Sequence, residues 1–240
     1  MAQYETIRSV GAGAQTAHYD EGLRAHMTKV YGIMAGGMAV TGIVAYLVGS
    51  NPALLQAIFG TPLKWVVMFA PLAVVFGFGA MINRMSVGAA QAVFYGFAAL
   101  MGLSISYIFA IYTGVSIATT FFTTAIAFAG LSLYGYTTKR DLSGFGTFLM
   151  MGVIGILVAS VINIFLQSTA VAFAVSTLGV LIFAGLTAFD TQNIKNTYLQ
   201  MAQSADQDWL GKSAIMGALS LYLNFLNMFM FLLQFMGNRE

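Results

Sequence analysis

The 240-residue chain is 59% hydrophobic and 8% charged, with a mean hydropathy of +0.82. A soluble domain carries about 25% charged residues, so the composition describes an integral membrane protein of a single domain. A net charge of +2 without clustered basic residues gives no footing for a nucleic-acid partner, and the absence of cysteine excludes disulfides, thiolate metal sites and cysteine nucleophiles.

Residues 1–18 are small and polar without an apolar period, and read as a disordered tail. No cleavable signal peptide is expected there, so the first span acts as its own insertion signal. Residues 19–240 form the membrane domain, opening with "YDEGLRAHMTKV", residues 19–30, which reads as a short interfacial helix. A bilayer core about 30 Å thick takes roughly 20 apolar residues as helix. Lys29 and Lys64 bracket the first such run, at 31–48, which ends in the turn-rich "GSNPALLQAIFGTP". Lys64 and Arg84 bracket the second, at 65–83. The 54 uncharged residues 85–138 would make about 80 Å of helix, too long for one crossing. A reversal at "IYTGVS" divides them into spans at 88–112 and 116–136. The 48 uncharged residues 142–189 divide at "LQST" into spans at 146–166 and 170–193, and a run at 213–236 completes seven. Arg8, Arg24, Lys29, Arg84, Lys139, Arg140, Lys195 and Lys212 then share one side, against Lys64 and Arg239 on the other. The positive-inside rule places the N-terminus in the cytoplasm and the C-terminus outside. Tyr46, Trp65, Tyr112 and Trp209 fall near the interfaces, as an aromatic belt requires.

Small and polar residues mark the faces turned inward. Gly32 and Gly36 in span one form a close-packing pair, and Tyr95, Ala99, Gly102 and Ser106 form a stripe on span three. Span seven carries Ser213, Gly217, Ser220, Asn224, Asn227, Phe231 and Gln234 at alternating spacings of four and three. Amides facing lipid would leave donors and acceptors unpaired, so this stripe faces protein or water. It reads either as an interhelical hydrogen-bond seam or as the lining of a polar path. Span six ends with Thr187, Asp190 and Asn193 on one face, and a short connection lets this face meet the Asn224 stripe.

Asp190 is the outstanding residue, because a charge at a helix centre costs about 2.5–3.5 kcal/mol on insertion scales. It reads as a solvated interfacial carboxylate, as an ion-pair partner of Arg84 or Lys195, or as a functional carboxylate. Counting from Thr169 puts it about 30 Å along its helix, whereas Asn224 lies about 16 Å into span seven. The two meet only if span six starts later, tilts or bends.

No enzyme constellation survives. His18 and His26 precede the first expected span, so neither a buried metal site nor an intramembrane serine protease is expected, and "GLSIS" at 102–106 is packing. Span seven has no lysine for a retinal linkage, and "GAGA" at 11–14 lacks the phosphate-binding spacing. Asp206 and Asp208 read as solvated, with cation binding as the alternative.

Three segments in order, "YGYTTKRDLSGFG" at 134–146, "FDTQNIK" at 189–195 and "ALSLYLNFLNMF" at 218–229, resemble the Bax inhibitor family in its bacterial branch, over about residues 20–237. The resemblance implies six helices around a central seventh and a pH-sensitive calcium leak across the bacterial inner membrane, without a cofactor. It further implies an aspartate on each of spans six and seven as a proton-sensing pair. An arginine near spans two and three latches the span-six carboxylate. Asp190 matches the first aspartate and Arg84 is the match for the arginine. The second aspartate is replaced: the family's "LYLD" is "LYLN" here, with Asn224 at its end. Two close carboxylates share a proton and titrate near neutral pH. An amide cannot titrate and can donate to Asp190, which implies a weakened or acid-shifted response. Ser220, Asn227, Gln234, Thr187 and Asn193 would line the pore or seam, and Asp190 is a candidate ligand for Ca2+, which takes oxygen ligands. The alternative function is that of a non-transporting regulator, with a membrane-bound protease as partner, or of a stress-tolerance factor.

Overall fold

The computed structural model describes residues 2–201 and 206–238, with side chains from Glu21 onward. The tail expected over 1–18 lies outside the residues described with side chains. Helix α1 covers Ala2–Gly49, α2 Pro52–Phe59, α3 Leu63–Met81, α4 Val87–Ile105, α5 Gly114–Thr137, α6 Ser143–Leu166, α7 Thr169–Met201 and α8 Gln207–Met236. Among the described residues seven helical segments are long and apolar enough to cross a membrane. These are Glu21–Gly49, Leu63–Arg84, Val87–Ala110, Gly114–Thr137, Ser143–Leu166, Thr169–Met201 and Gln207–Met236. They correspond one to one with the expected spans.

The interhelical breaks have local causes. Asn51 accepts from the amides of Ala53 (3.0 Å) and Leu54 (3.2 Å), and Pro52 follows it, so the segment expected as a plain turn caps the short helix α2. Between α6 and α7, Gln167 adopts the left-handed region (φ 51°) and the Ser168 amide donates to Asn163 Oδ1 at 3.0 Å. This turn is the reversal expected at "LQST". The stretch 19–30, expected as a short interfacial helix, belongs to α1 without a break. Leu23, Met27, Val30 and Met34 recur every three or four residues and are all buried.

The last helix is the central one. In its apolar window 61% of residues are buried inside the protein, against 44% at most in any other span. Helices α1, α4, α5 and α7 pack directly against α8, while α3 leans on α4 and α6 on α7. Aromatic rings fill the centre: Tyr222 packs edge-on against Phe94 (5.7 Å) and Phe97 (5.8 Å), and Phe225 against Phe121 and Phe128 (both 5.4 Å). The fully buried Tyr222 hydroxyl lies 2.7 Å from Thr41 Oγ1, which donates to the carbonyls of Gly37 (3.0 Å) or Ala98 (2.8 Å). One polar cluster therefore ties α1, α4 and α8 together.

Close approach is set by particular glycines. Gly32, expected to pack, has open space beside its Cα, whereas Gly36 faces the Tyr95 ring and Gly37 the Phe94 ring. Gly102 sits so that a Cβ would lie 2.5 Å from the Thr41 carbonyl oxygen. At Gly135 a Cβ would collide with the Ala188 carbonyl, which fixes the α5–α7 crossing. Gly135→Ala is expected to destabilise the protein by about 1–3 kcal/mol through overpacking against rigid backbone. Gly130→Ala, where nothing lies within 4 Å, should leave stability unchanged. Thermal unfolding of the two variants in detergent checks the difference.

Candidate functional site

Asp190 lies inside α7, eleven residues before its end at Met201. Its Oδ2 accepts from Ser220 Oγ at 2.5 Å and from Asn224 Nδ2 at 2.7 Å, both on α8. The two donors stand one helical turn apart, so they converge on a single oxygen. Oδ1 takes no hydrogen bond from the described residues. Charge-assisted bonds of this length are the strong class.

The encounter expected to need a late start or bend in span six has a different cause. Helix α7 starts at Thr169 as expected, but runs to Met201, and α8 starts at Gln207. The connection expected over 194–212 shrinks to the few residues between these helices. "NIKNTYLQM" and "QDWLGK" are helical because they also have buried faces: Ile194 packs on Gly217, and Gly211 on Val87. The polar residues mark where the chain leaves lipid, not where the helix ends. Both helices therefore overshoot, and Asp190 and Asn224 come level.

Asp190 and Ser220 open onto a cavity of about 330 Å³, also lined by Ile82, Asn83, Asn193, Trp209, Lys212 and Ser213. Asn193, predicted on the Asp190 face, is exposed towards this space. Thr187 is fully buried and donates to the Phe183 carbonyl at 2.8 Å, so it belongs to the helix interior. Asn227 Nδ2 donates to the Leu223 carbonyl at 2.8 Å on its own helix and does not join the Asp190 cluster. Gln234 is exposed near the end of α8, where the stripe has turned away from the bundle. Beyond Asn227, the polar face is interrupted by Phe231, stacked on Phe183 at 5.9 Å and seated against Gly179.

The expected Arg84–Asp190 pair is not formed. Arg84 ends a 3-10 turn at Ile82–Arg84 and is exposed, while Ile82 and Asn83 of that turn line the cavity. Lys195, the other expected partner, donates to the Tyr136 carbonyl at 2.7 Å, with its ammonium 5.3 Å from the Tyr136 ring centroid. Among the described residues the one ion pair is Lys212–Asp208, at 3.8 Å. Lys212 is the basic residue that lines the cavity with Asp190. The sequence places it in the connection before span seven, expected to begin at Ser213, and so not among the site residues. Extending the Ser213–Gly217–Ser220–Asn224 stripe back one turn reaches Trp209, and Lys212 flanks it.

His26, expected to precede the membrane, lies within the first membrane segment and is buried, with its ring 4.8 Å from that of Tyr198. Among the described residues no group of three or more His, Cys, Asp or Glu is placed to hold a metal ion.

The model of the family described as "Inhibitor of apoptosis-promoting Bax1" matches residues 23–240. An uncharacterized protein of Caulobacter vibrioides is 47% identical, covering 97% of this chain and 96% of its own. The inner membrane protein YbhL of Escherichia coli strain K12 is 45% identical, covering 91% and 94%. The uncharacterized protein RP147 of Rickettsia prowazekii is 44% identical, covering 92% and 93%. The family model covers the membrane domain, including the α7–α8 hairpin that carries Asp190 and Asn224. The chain belongs to the Bax inhibitor family of multi-pass membrane proteins.

Proposed function

We propose that the protein is a pH-sensitive cation leak of the bacterial cytoplasmic membrane, calcium being the natural permeant ion, with Asp190 as the gate carboxylate. The observation that carries this reading is the carboxylate itself. It stands within a membrane helix, is turned onto the central helix, is held by two donors on one oxygen, and opens onto a polar cavity. Membrane-embedded carboxylates that face a bundle interior mark ion or proton pathways. The free Oδ1 shares its cavity with the polar side chains of Asn83, Asn193, Ser213 and Ser220, and oxygen ligands are what a divalent cation takes. The Phe183–Phe231 stack on α7 and α8 also supports the reading, since apolar side chains of this kind can close a pore by dewetting.

In this mechanism ionised Asp190 holds α8 through Ser220 and Asn224 and attracts the Lys212 ammonium across the cavity. Protonation removes the charge that strengthens these contacts, and the helix arrangement shifts towards conduction. With Asn224 in place of a second carboxylate, the transition falls at lower pH than in a two-aspartate site. The basic ends of the spans, Arg24 and Lys195 among them, face the cytoplasm, and the cavity mouth opens on that side.

Calcium flux into proteoliposomes, measured between about pH 5 and pH 8, tests the reading. Flux that rises as pH falls, with its midpoint on the acid side, is the expected result. Proteoliposomes without calcium flux anywhere in that range would overturn it.

A further inference from the structure

A second cavity lies on the lipid-facing side of the bundle, away from Asp190. Arg24, Met27, Thr28 and Tyr31 on α1 face Ala129, Ser132, Leu133 and Tyr136 on α5 across about 460 Å³. Each set follows i, i+3, i+4, i+7 spacing, so each is one face of one helix. The gap exists because α1 and α5 both pack on α7 and scarcely on each other. Its floor is closed by α7: Ser132 Oγ is 3.2 Å from Thr191 Oγ1, and Lys195 is bonded to the Tyr136 carbonyl. The cavity is therefore a walled groove within the depth of two membrane spans, open sideways.

The groove has two chemically distinct ends. Met27, Ala129 and Leu133 supply an apolar channel. Arg24 stands exposed at the rim and forms no ion pair among the described residues. Lys139 and Arg140 follow directly on the end of α5, and Lys195 stands behind Tyr136. Among the residues described with side chains, the acidic ones next to these segments are Glu21 on α1 and Asp141 beyond α5, both exposed. Among the residues described with side chains, Arg24 is the charged residue that lines the cavity. Two tyrosines, Tyr31 and Tyr136, sit half-buried in the walls, each with an apolar body and a polar tip suited to the headgroup level.

We infer that this groove binds an anionic phospholipid, with one acyl chain between α1 and α5 and the phosphate at Arg24. Basic pockets between membrane helices hold anionic headgroups in this way. The volume falls within the range of about 300–1,000 Å³ typical of small-molecule sites. The site shares no residue with the Asp190 cavity, and its occupancy does not depend on conduction.

Native mass spectrometry of the full-length protein, released from bilayers of equal phosphatidylglycerol and phosphatidylcholine with the same acyl chains, tests the assignment. Wild type should retain phosphatidylglycerol in preference. Arg24→Gln should lower that retention about fivefold, the contribution of one basic residue near an anionic surface. Ala129→Phe, on an exposed position, should fill the groove and lower retention of both lipids. Circular dichroism and thermal unfolding of the two variants confirm that the fold is kept. Equal retention of the two lipids by wild type, or undiminished phosphatidylglycerol on both variants, overturns the inference. A change of oligomeric state in Ala129→Phe with lipid retention unchanged assigns the groove to a second copy of the chain and overturns it as well.

Discussion

Asp190→Asn is expected to hold calcium flux at the wild type's acid-side level at every pH between about pH 5 and pH 8. The substitution is nearly isosteric, and the new amide oxygen can still accept from Ser220 and Asn224, whose donors lie 2.5 and 2.7 Å away. What disappears is the charge. In wild type, raising the pH ionises the carboxylate, strengthens both bonds and the attraction to Lys212, and closes the path. Lowering it reverses each step, so flux falls as pH rises, by at most about tenfold per pH unit for a single titrating group. The variant has nothing to titrate at this position and should trace a flat line. A variant that keeps the wild-type pH profile would remove Asp190 from the gate. If neither protein conducts, the reading in which this family member controls a membrane-bound protease takes first place.

Asn224→Asp is expected to move the flux midpoint towards neutral pH. The new carboxylate would occupy the place of an amide now bonded to Asp190 at 2.7 Å. Two carboxylates that close cannot both ionise cheaply, and they hold a shared proton to higher pH, by about one to several units. Because the protonated site is the conducting one, the variant should leak at neutral pH where wild type is nearly closed. A midpoint that stays in place would mean that Asn224 only fills space and that the proton is sensed elsewhere.

The spans were legible because the bilayer imposes one rule on every helix: long uncharged runs separated by charges or turn residues. The reversal at Leu166–Thr169 followed from a cluster of polar residues in an otherwise apolar run. The meeting of Asp190 with Ser220 and Asn224 followed from a four-three spacing on one helix and a short connection to the next. Helix ends were not legible. Residues 194–201 and 207–212 are polar enough to leave the membrane, yet each keeps a buried face that sustains the helix, and hydropathy cannot separate the two events. Arg84 illustrates a related blind spot. It ends the second span, where the resemblance implies a latch, but the 3-10 turn at Ile82–Arg84 brings Ile82 and Asn83 to the cavity and leaves the arginine exposed. Gln234 shows the limit of an extrapolated stripe, since a period that keeps Asn224 inward need not keep the last turn inward. The groove between α1 and α5 had no sequence signal, because it arises from how two helices lean on a third.

The burial of α8 bears on how the protein is made. Synthesis proceeds from the N-terminus, so the helix that packs against α1, α4, α5 and α7 leaves the ribosome after all of them. Until then the polar cluster at Thr41 lacks Tyr222, and Asp190 lacks both of its donors. The earlier helices must enter the bilayer as a loose, unfilled ring and wait. A chain interrupted before Gln207 is therefore left with a carboxylate in a membrane helix that lacks both of its α8 donors, a costly arrangement in lipid.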